Sequence, residues 1–77
     1  MARDAQRQNL AAYLPHIKIP VLLIWGLQDK VTPPAVGKEF ETLLPNATLH
    51  YLNECGHAPM MEQPELFNDF VAEFLAA

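Results

Sequence analysis

The sequence predicts an α/β fold in which a short parallel sheet is flanked by helices, in the order α-β-α-β-α. Two short apolar runs, at residues 21–25 and 47–52, are each followed by a loop that carries an ionisable residue. Patterns of helical period precede, separate and follow these runs. A helix between two strands makes the strands parallel and the crossover right-handed. The expected core of the fold is therefore one right-handed βαβ unit.

The first helix is predicted at residues 2–14. Leu10, Tyr13 and Leu14 recur at i, i+3 and i+4, with charged and amide side chains on the opposite face. Pro15 ends the pattern because proline lacks the N–H group that a helix interior needs.

The first strand is predicted at Val21 to Trp25, between Pro20 and Gly26. The run contains no polar residue, so it shows no alternation between two faces. Such a continuous apolar run is typical of a strand that is covered on both faces of a parallel sheet.

A second helix is predicted to follow, with Thr32 as its N-cap and Pro33 in its first turn. Pro45 and Asn46 end it with residues typical of turns. Its apolar face recurs at i, i+4, i+7 and i+8, and consists of Val36, Phe40, Leu43 and Leu44.

The remaining chain predicts a second strand at Ala47 to Leu52, a loop at Asn53 to Pro59 and a third helix that opens at Gln63-Pro64. Thr48 and His50 alternate with apolar residues in the second strand, which places it nearer a sheet edge. The third helix has a broad apolar stripe, formed by Leu66, Phe67, Phe70, Val71, Phe74 and Leu75.

Length and composition exclude several classes of protein. Seventy-seven residues are expected to form one small domain, residues 1–77, near the lower size limit for a self-supporting core. The net charge of −4 and five scattered basic residues argue against nucleic acid as a partner. The longest apolar run has five residues, far fewer than the ~20 that cross a bilayer, so no membrane helix is expected. A cytoplasmic location follows as the default expectation.

Cys55, His16 and His50 are not expected to bind a metal or cofactor. The chain has a single cysteine, which cannot form an internal disulfide, and neither histidine lies at metal-site spacing from a carboxylate or thiol. Cys55 is therefore expected to be a small packing residue.

Asp29 and His57 are the candidate catalytic residues. Each follows the end of a predicted strand, and the carboxyl ends of parallel strands share one rim of the sheet. In acyl transfer, a histidine takes the proton of the nucleophile while a carboxylate fixes its tautomer. The alternative for Asp29 is a loop residue that only caps local N–H groups. The topology predicts that the two side chains lie within hydrogen-bonding distance, directly or through one water.

The sequence around these residues resembles the C-terminal part of the α/β-hydrolase fold family. Residues 19–26, with Asp29, Val31 and Pro33, resemble that family's seventh strand and acid loop. Residues 44–57 and 62–68 are similar to its eighth strand, histidine loop and final helix. The resemblance implies that Asp29 is the acid and His57 the base of a catalytic triad.

The chain departs from the family pattern in lacking a nucleophile. It contains no serine, and none of its three glycines lies in a G-x-S-x-G elbow. Two hypotheses follow. The chain is either part of a serine-type hydrolase of small-molecule esters, amides or carbon–carbon bonds, inactive until the missing part is supplied, or a non-catalytic structural module. In either case the unpaired strand edges favour a homo-oligomer, through shared strands or exchanged helices.

Overall fold

The fold is centred on a short parallel sheet. A computed structural model describes residues 9–76. Within this range, strands β1 (Val21–Gly26) and β2 (Ala47–Leu52) pair in parallel, with Val21 opposite Ala47 and Gly26 opposite Leu52. This confirms the predicted parallel pair, and β1 extends one residue beyond the predicted end.

Four helices precede, separate and follow the two strands in the described residues. The helical residues 9–13 (α1) lead into a 3₁₀ turn at Leu14–His16. The predicted start of this helix, residues 2–8, lies outside the described residues. The other helices are α2 at Pro34–Leu43, α3 at Pro59–Glu62 and α4 at Pro64–Ala76.

Two local predictions are corrected. The N-cap of α2 is Pro33 and not Thr32, and no side chain caps this helix. Pro34 occupies the first helical turn, where its fixed φ suits the helix and its missing N–H costs nothing. The sequence pattern does not predict helix α3, because four residues are too few to show a periodicity.

The core is small for a chain of this length. Among residues 9–76, the buried apolar side chains are Leu14, Leu44, Leu52, Cys55 and Pro59. Residues Val21 to Trp25 of β1 are only half-buried, although their composition predicts a strand covered on both faces. The described helices therefore leave part of the apolar sheet accessible.

Helix α2 packs closely on the sheet at Gly37. A Cβ at this position would lie 2.9 Å from the indole ring of Trp25. The ring of Phe40, one turn further on, lies 6.1 Å from the indole. Helix α4 contacts β2 through a second pair of rings, since His50 stacks on Phe70 with ring centroids 4.0 Å apart.

The helices in the described part of the chain are short. None of them is long and apolar enough to cross a membrane.

Candidate active site

The candidate site lies where β1 and β2 end side by side. The segment after β1, residues 27–32, is named the acid loop, and the segment after β2, residues 53–58, is named the His loop. The backbone amide of Leu27 donates to the carbonyl of Leu52, and that of Gln28 donates to the carbonyl of Cys55, both at 2.9 Å. The two loops are thus joined by backbone hydrogen bonds beyond the sheet.

Asp29 is fixed by its own loop. Its side-chain Oδ1 accepts hydrogen bonds from the backbone amides of Val31 and Thr32, both at 2.9 Å. The residue is only 8% exposed. Burial acts to raise the pKa of the Asp29 carboxyl, but hydrogen bonds from Thr32, His57 and Val31 outweigh burial, so the net pKa is lowered from 3.8. The carboxylate is therefore ionised at neutral pH.

The second oxygen of Asp29 faces His57. The distance from His57 Nδ1 to Asp29 Oδ2 is 3.1 Å. An ionised carboxylate can only accept, so Nδ1 must carry the hydrogen that is shared with Asp29. In the neutral ring this leaves the lone pair on Nε2. The imidazole is 59% exposed and the Asp29 side chain only 5%, so a buried carboxylate orients an accessible imidazole.

Amide side chains hold the His loop against the acid loop. Gln28 accepts a hydrogen bond from the amide of Cys55 at 2.9 Å and donates to the side chain of Asn53 at 3.0 Å. From the other side, Gln63 Nε2 donates to the carbonyls of Asn53 and Glu54, at 3.4 and 3.2 Å. Glu54 has a φ of 52°, an uncommon conformation for a residue other than glycine. The path of this loop is therefore specified by several side chains.

Glycine at position 26 permits the close approach of the two loops. A Cβ on Gly26 would lie 2.1 Å from the carbonyl oxygen of Gly56 and 2.3 Å from that of Cys55. Both distances are well inside any real contact, and the obstacles are backbone atoms. A side chain at this position would push the His loop away from the end of β1.

The carboxylate of Glu62, at the end of α3, binds the His loop. Its Oε1 accepts from the amide of Gly56 at 2.9 Å, and its Oε2 accepts from the amide of Ala58 at 3.0 Å. These two hydrogen bonds lower the pKa of the Glu62 carboxyl from 4.5. Glu62 therefore contacts the backbone on both sides of His57.

Cys55 is a buried packing residue. The residue is 1% exposed, and its thiol faces the carbonyl of Gly56 at 3.8 Å. Burial, followed by the negative charges of Glu62 and Asp29, raises the pKa of the Cys55 thiol above 9.0. The thiol is therefore protonated at neutral pH and packs between the two loops, as the sequence suggests.

A small cavity of about 170 Å³ opens beside the pair. Trp25 and Thr32 line it together with Asp29 and His57. The indole Nε1 of Trp25 donates to the carbonyl of Thr32 at 3.1 Å, which ties the end of β1 to the acid loop. A larger apolar groove of about 620 Å³ lies between α1 and α2, and neither Asp29 nor His57 lines it.

Residues 9–76 contain no candidate metal site. No group of three or more His, Cys, Asp or Glu side chains in this range could hold a metal ion.

The structure thus brings together the two residues that the sequence selected, Asp29 and His57. It also shows that the loop-capping alternative for Asp29 is compatible with its pairing, since Oδ1 caps the loop and Oδ2 faces the ring. Sequence reasoning did not identify Gln28, Glu62 or Gln63. Their only sequence signal is proximity to the two loops, because their partners are mostly backbone groups.

Known proteins resemble this chain in sequence. A family model described as the alpha/beta hydrolase fold matches residues 2–64. A 2-hydroxy-6-oxononadienedioate/2-hydroxy-6-oxononatrienedioate hydrolase of Burkholderia vietnamiensis is 45% identical over 74 residues, 96% of this chain and 26% of that protein. The uncharacterized hydrolase YugF of Bacillus subtilis is 41% identical over 56 residues, 73% of this chain and 20% of that protein.

Solved structures resemble it as well. An α/β hydrolase from a sediment metagenome of the Mar Chica lagoon, Morocco, superposes with a TM-score of 0.86 and 47% identity, over 99% of this chain and 35% of that one. The chain thus spans about a quarter of the length of the curated relatives and a third of this structure. Family model, relatives and superposition agree on one assignment: the chain belongs to the α/β hydrolase fold family.

Proposed function

We propose that this chain is the acid- and base-bearing part of a serine-type α/β hydrolase, with Asp29 as the triad acid and His57 as the triad base. The observation that carries the proposal is the 3.1 Å contact between His57 Nδ1 and Asp29 Oδ2, with the acid buried and the ring exposed. A hydroxyl nucleophile placed at Nε2 would complete the arrangement.

In the proposed mechanism, His57 Nε2 takes the proton of the attacking hydroxyl, and the ring becomes an imidazolium. The ionised Asp29 stabilises that charge through its bond to Nδ1. His57 then returns the proton to the leaving group, which restores the neutral ring. Asp29 keeps its position through this cycle because its Oδ1 stays bound to Val31 and Thr32.

The nucleophile has to come from a segment outside this sequence, because the chain contains no serine and Cys55 is buried and protonated. The same holds for the donors that stabilise the oxyanion. Catalysis by this chain alone is therefore expected to be absent. The Burkholderia relative is named for hydrolysis of a 2-hydroxy-6-oxo dicarboxylate, which supports a small oxygenated substrate for the complete enzyme.

Hydrolysis of a nitrophenyl ester tests the proposal. The chain is assayed alone and together with the preceding, nucleophile-bearing segment of a related hydrolase. We expect turnover only in the mixture. His57→Ala in the chain should abolish it, and Asp29→Asn should lower kcat by about 10⁴, because the amide favours the wrong tautomer of the ring.

A matched control is His50→Ala, which removes the imidazole that stacks on Phe70, away from the acid loop. This variant should retain turnover in the mixture. His57-dependent turnover by the chain alone would contradict the proposal. So would a stable complex whose activity does not depend on His57.

A non-catalytic, self-associating module is the second candidate. The half-buried strand β1 favours it, since the described helices leave apolar sheet surface open to a second copy. A dimer that neither binds the complementary segment nor gains activity from it would favour this alternative.

A further inference from the structure

We infer that Glu62 is a positioning residue for His57, which fixes the backbone that carries the imidazole and so sets the contact of the ring with Asp29. The inference rests on the proposed role of His57 as the base. Glu62 itself touches neither reacting atom.

Glu62 binds backbone amides on both sides of His57. The amide of Gly56 belongs to the peptide group that precedes Gly56, and the amide of Ala58 belongs to the peptide group that follows His57. Glu62 binds the first through Oε1 and the second through Oε2, at 2.9 and 3.0 Å. One rigid carboxylate therefore restrains the backbone torsions that lie between these two groups, including those of His57.

Only one of the two hydrogen bonds of Glu62, the bond to Ala58, can be explained as a helix cap. Ala58 is the N-cap of α3, and its carbonyl accepts from the amide of Glu62 at 2.9 Å. The return bond from the Ala58 amide to the Glu62 side chain resembles a capping box. The bond to Gly56 is different, because that residue lies two positions before the N-cap and contributes nothing to the helix. The hydrogen bond to Gly56 therefore restrains only the His loop.

The carboxylate of Glu62 lies close to the α-carbon of Gly56. A Cβ on Gly56 would lie 3.1 and 3.2 Å from the two oxygens of Glu62. The φ of Gly56 is not positive, so the backbone conformation does not require glycine. A side chain on Gly56 would therefore displace the Glu62 carboxylate by a few tenths of an ångström.

The charge of Glu62 supports the same role. The hydrogen bonds from Gly56 and Ala58 lower the pKa of the Glu62 carboxyl, so it is ionised and both oxygens accept at neutral pH. The ionisable groups that face it are Asp29 on the acid loop and Cys55 and His57 on the His loop.

The test compares Glu62→Gln with Glu65→Gln in the 77-residue chain by NMR. Both changes remove one negative charge without changing side-chain length, but only Glu62→Gln puts an NH₂ donor where a backbone amide needs an acceptor. In Glu62→Gln we expect at least one of the amides of Gly56 and Ala58 to exchange with solvent about tenfold faster, because the glutamine amide keeps only one acceptor oxygen, and the His57 Nδ1–H signal to shift and weaken. In Glu65→Gln all three should match the unsubstituted chain.

Two results would overturn the inference. One is unchanged exchange at both amides. The other is faster exchange with an unchanged His57 ring signal, which would make Glu62 a helix cap only.

A titration of the unsubstituted chain decides the matter if Glu62→Gln does not fold. The amide shifts of Gly56 and Ala58 should follow the Glu62 carboxyl with one midpoint, and the His57 ring should show a step at that midpoint. The amides of Val31 and Thr32 report Asp29 separately. Absence of the shared midpoint refutes the inference.

These measurements need no catalysis. Failure of the ester assay with an intact Glu62 effect would therefore refute the proposed function alone. Restored turnover with no Glu62 effect would refute the positioning role alone.

Discussion

Gly26→Ala is expected to separate the His loop from the acid loop. The new Cβ would lie 2.1 Å from the carbonyl oxygen of Gly56, whereas real Cβ contacts essentially never fall below 3.0 Å. The carbonyl must therefore retreat by at least 0.9 Å, the difference between these two distances. The Cys55 carbonyl oxygen, which would lie 2.3 Å from the same Cβ, must retreat by at least 0.7 Å. A shift of that size is enough to break its 2.9 Å bond to the Gln28 amide.

Gly26→Ala should lower the free energy of unfolding by a large fraction, because the domain is so small. Overpacking typically destabilises by about 1–3 kcal/mol, and the upper end applies here because the obstacle is backbone. A domain of this length has roughly 4–12 kcal/mol of stability in total. A loss of about 3 kcal/mol would lower the melting temperature by about 12 °C or more.

Urea denaturation followed by far-UV circular dichroism measures this loss. Gly37→Ala is the matched control, since its Cβ falls short of 3.0 Å by only 0.1 Å and meets the Trp25 side chain rather than backbone. Alanine also gains about 1 kcal/mol of helix propensity over glycine there. Equal stability of Gly26→Ala and the unsubstituted chain would refute the close-approach argument.

Three further predictions concern the core, acid stability and assembly. Leu52→Ala should destabilise by about 2–5 kcal/mol, measured by urea denaturation, because Leu52 is 3% exposed; a cost below about 1 kcal/mol would contradict its place in the core. Asp29 and Glu62 have folded-state pKa values below 3.8 and 4.5, so their stabilisation is complete above those values and is lost as pH falls through the lowered ones. The urea midpoint should therefore begin to drop as pH falls below about 5 and should keep falling below pH 3.8, and a flat profile would count against both hydrogen-bonded carboxylates. The half-buried β1 predicts a homo-oligomer at micromolar concentration; a compact monomer in light scattering across a tenfold dilution would exclude it.

Much of the fold could be predicted because its signals are local. The strands are apolar runs between Pro, Gly and Asn residues, and the intervening helical pattern implies their parallel pairing. The proximity of Asp29 and His57 could be predicted for the same reason, since each closely follows a strand. The similarity of the surrounding sequence to a known family added the functional interpretation.

The features that the sequence did not predict depend on how the loops and helices are arranged in space. The carboxylate of Glu62 binds two backbone amides. Every residue except proline has such an amide, so the residue types in the sequence do not show which residues Glu62 binds. The predicted start of α2 is wrong by one residue because Pro33 precedes another proline, and a residue before proline is disfavoured in the helical region. Pro33 accordingly has a ψ of 145° and is the N-cap. The incomplete covering of β1 depends on how the helices pack, which composition alone does not determine.

Trp25 gives the chain a built-in optical reporter. It is the sole tryptophan, and its indole N–H is bound to the carbonyl of Thr32 in the acid loop. The indole also lines the cavity beside Asp29 and His57. All tryptophan emission from this chain therefore originates at the rim of the sheet, so docking of another segment there can be followed by intrinsic fluorescence without any label.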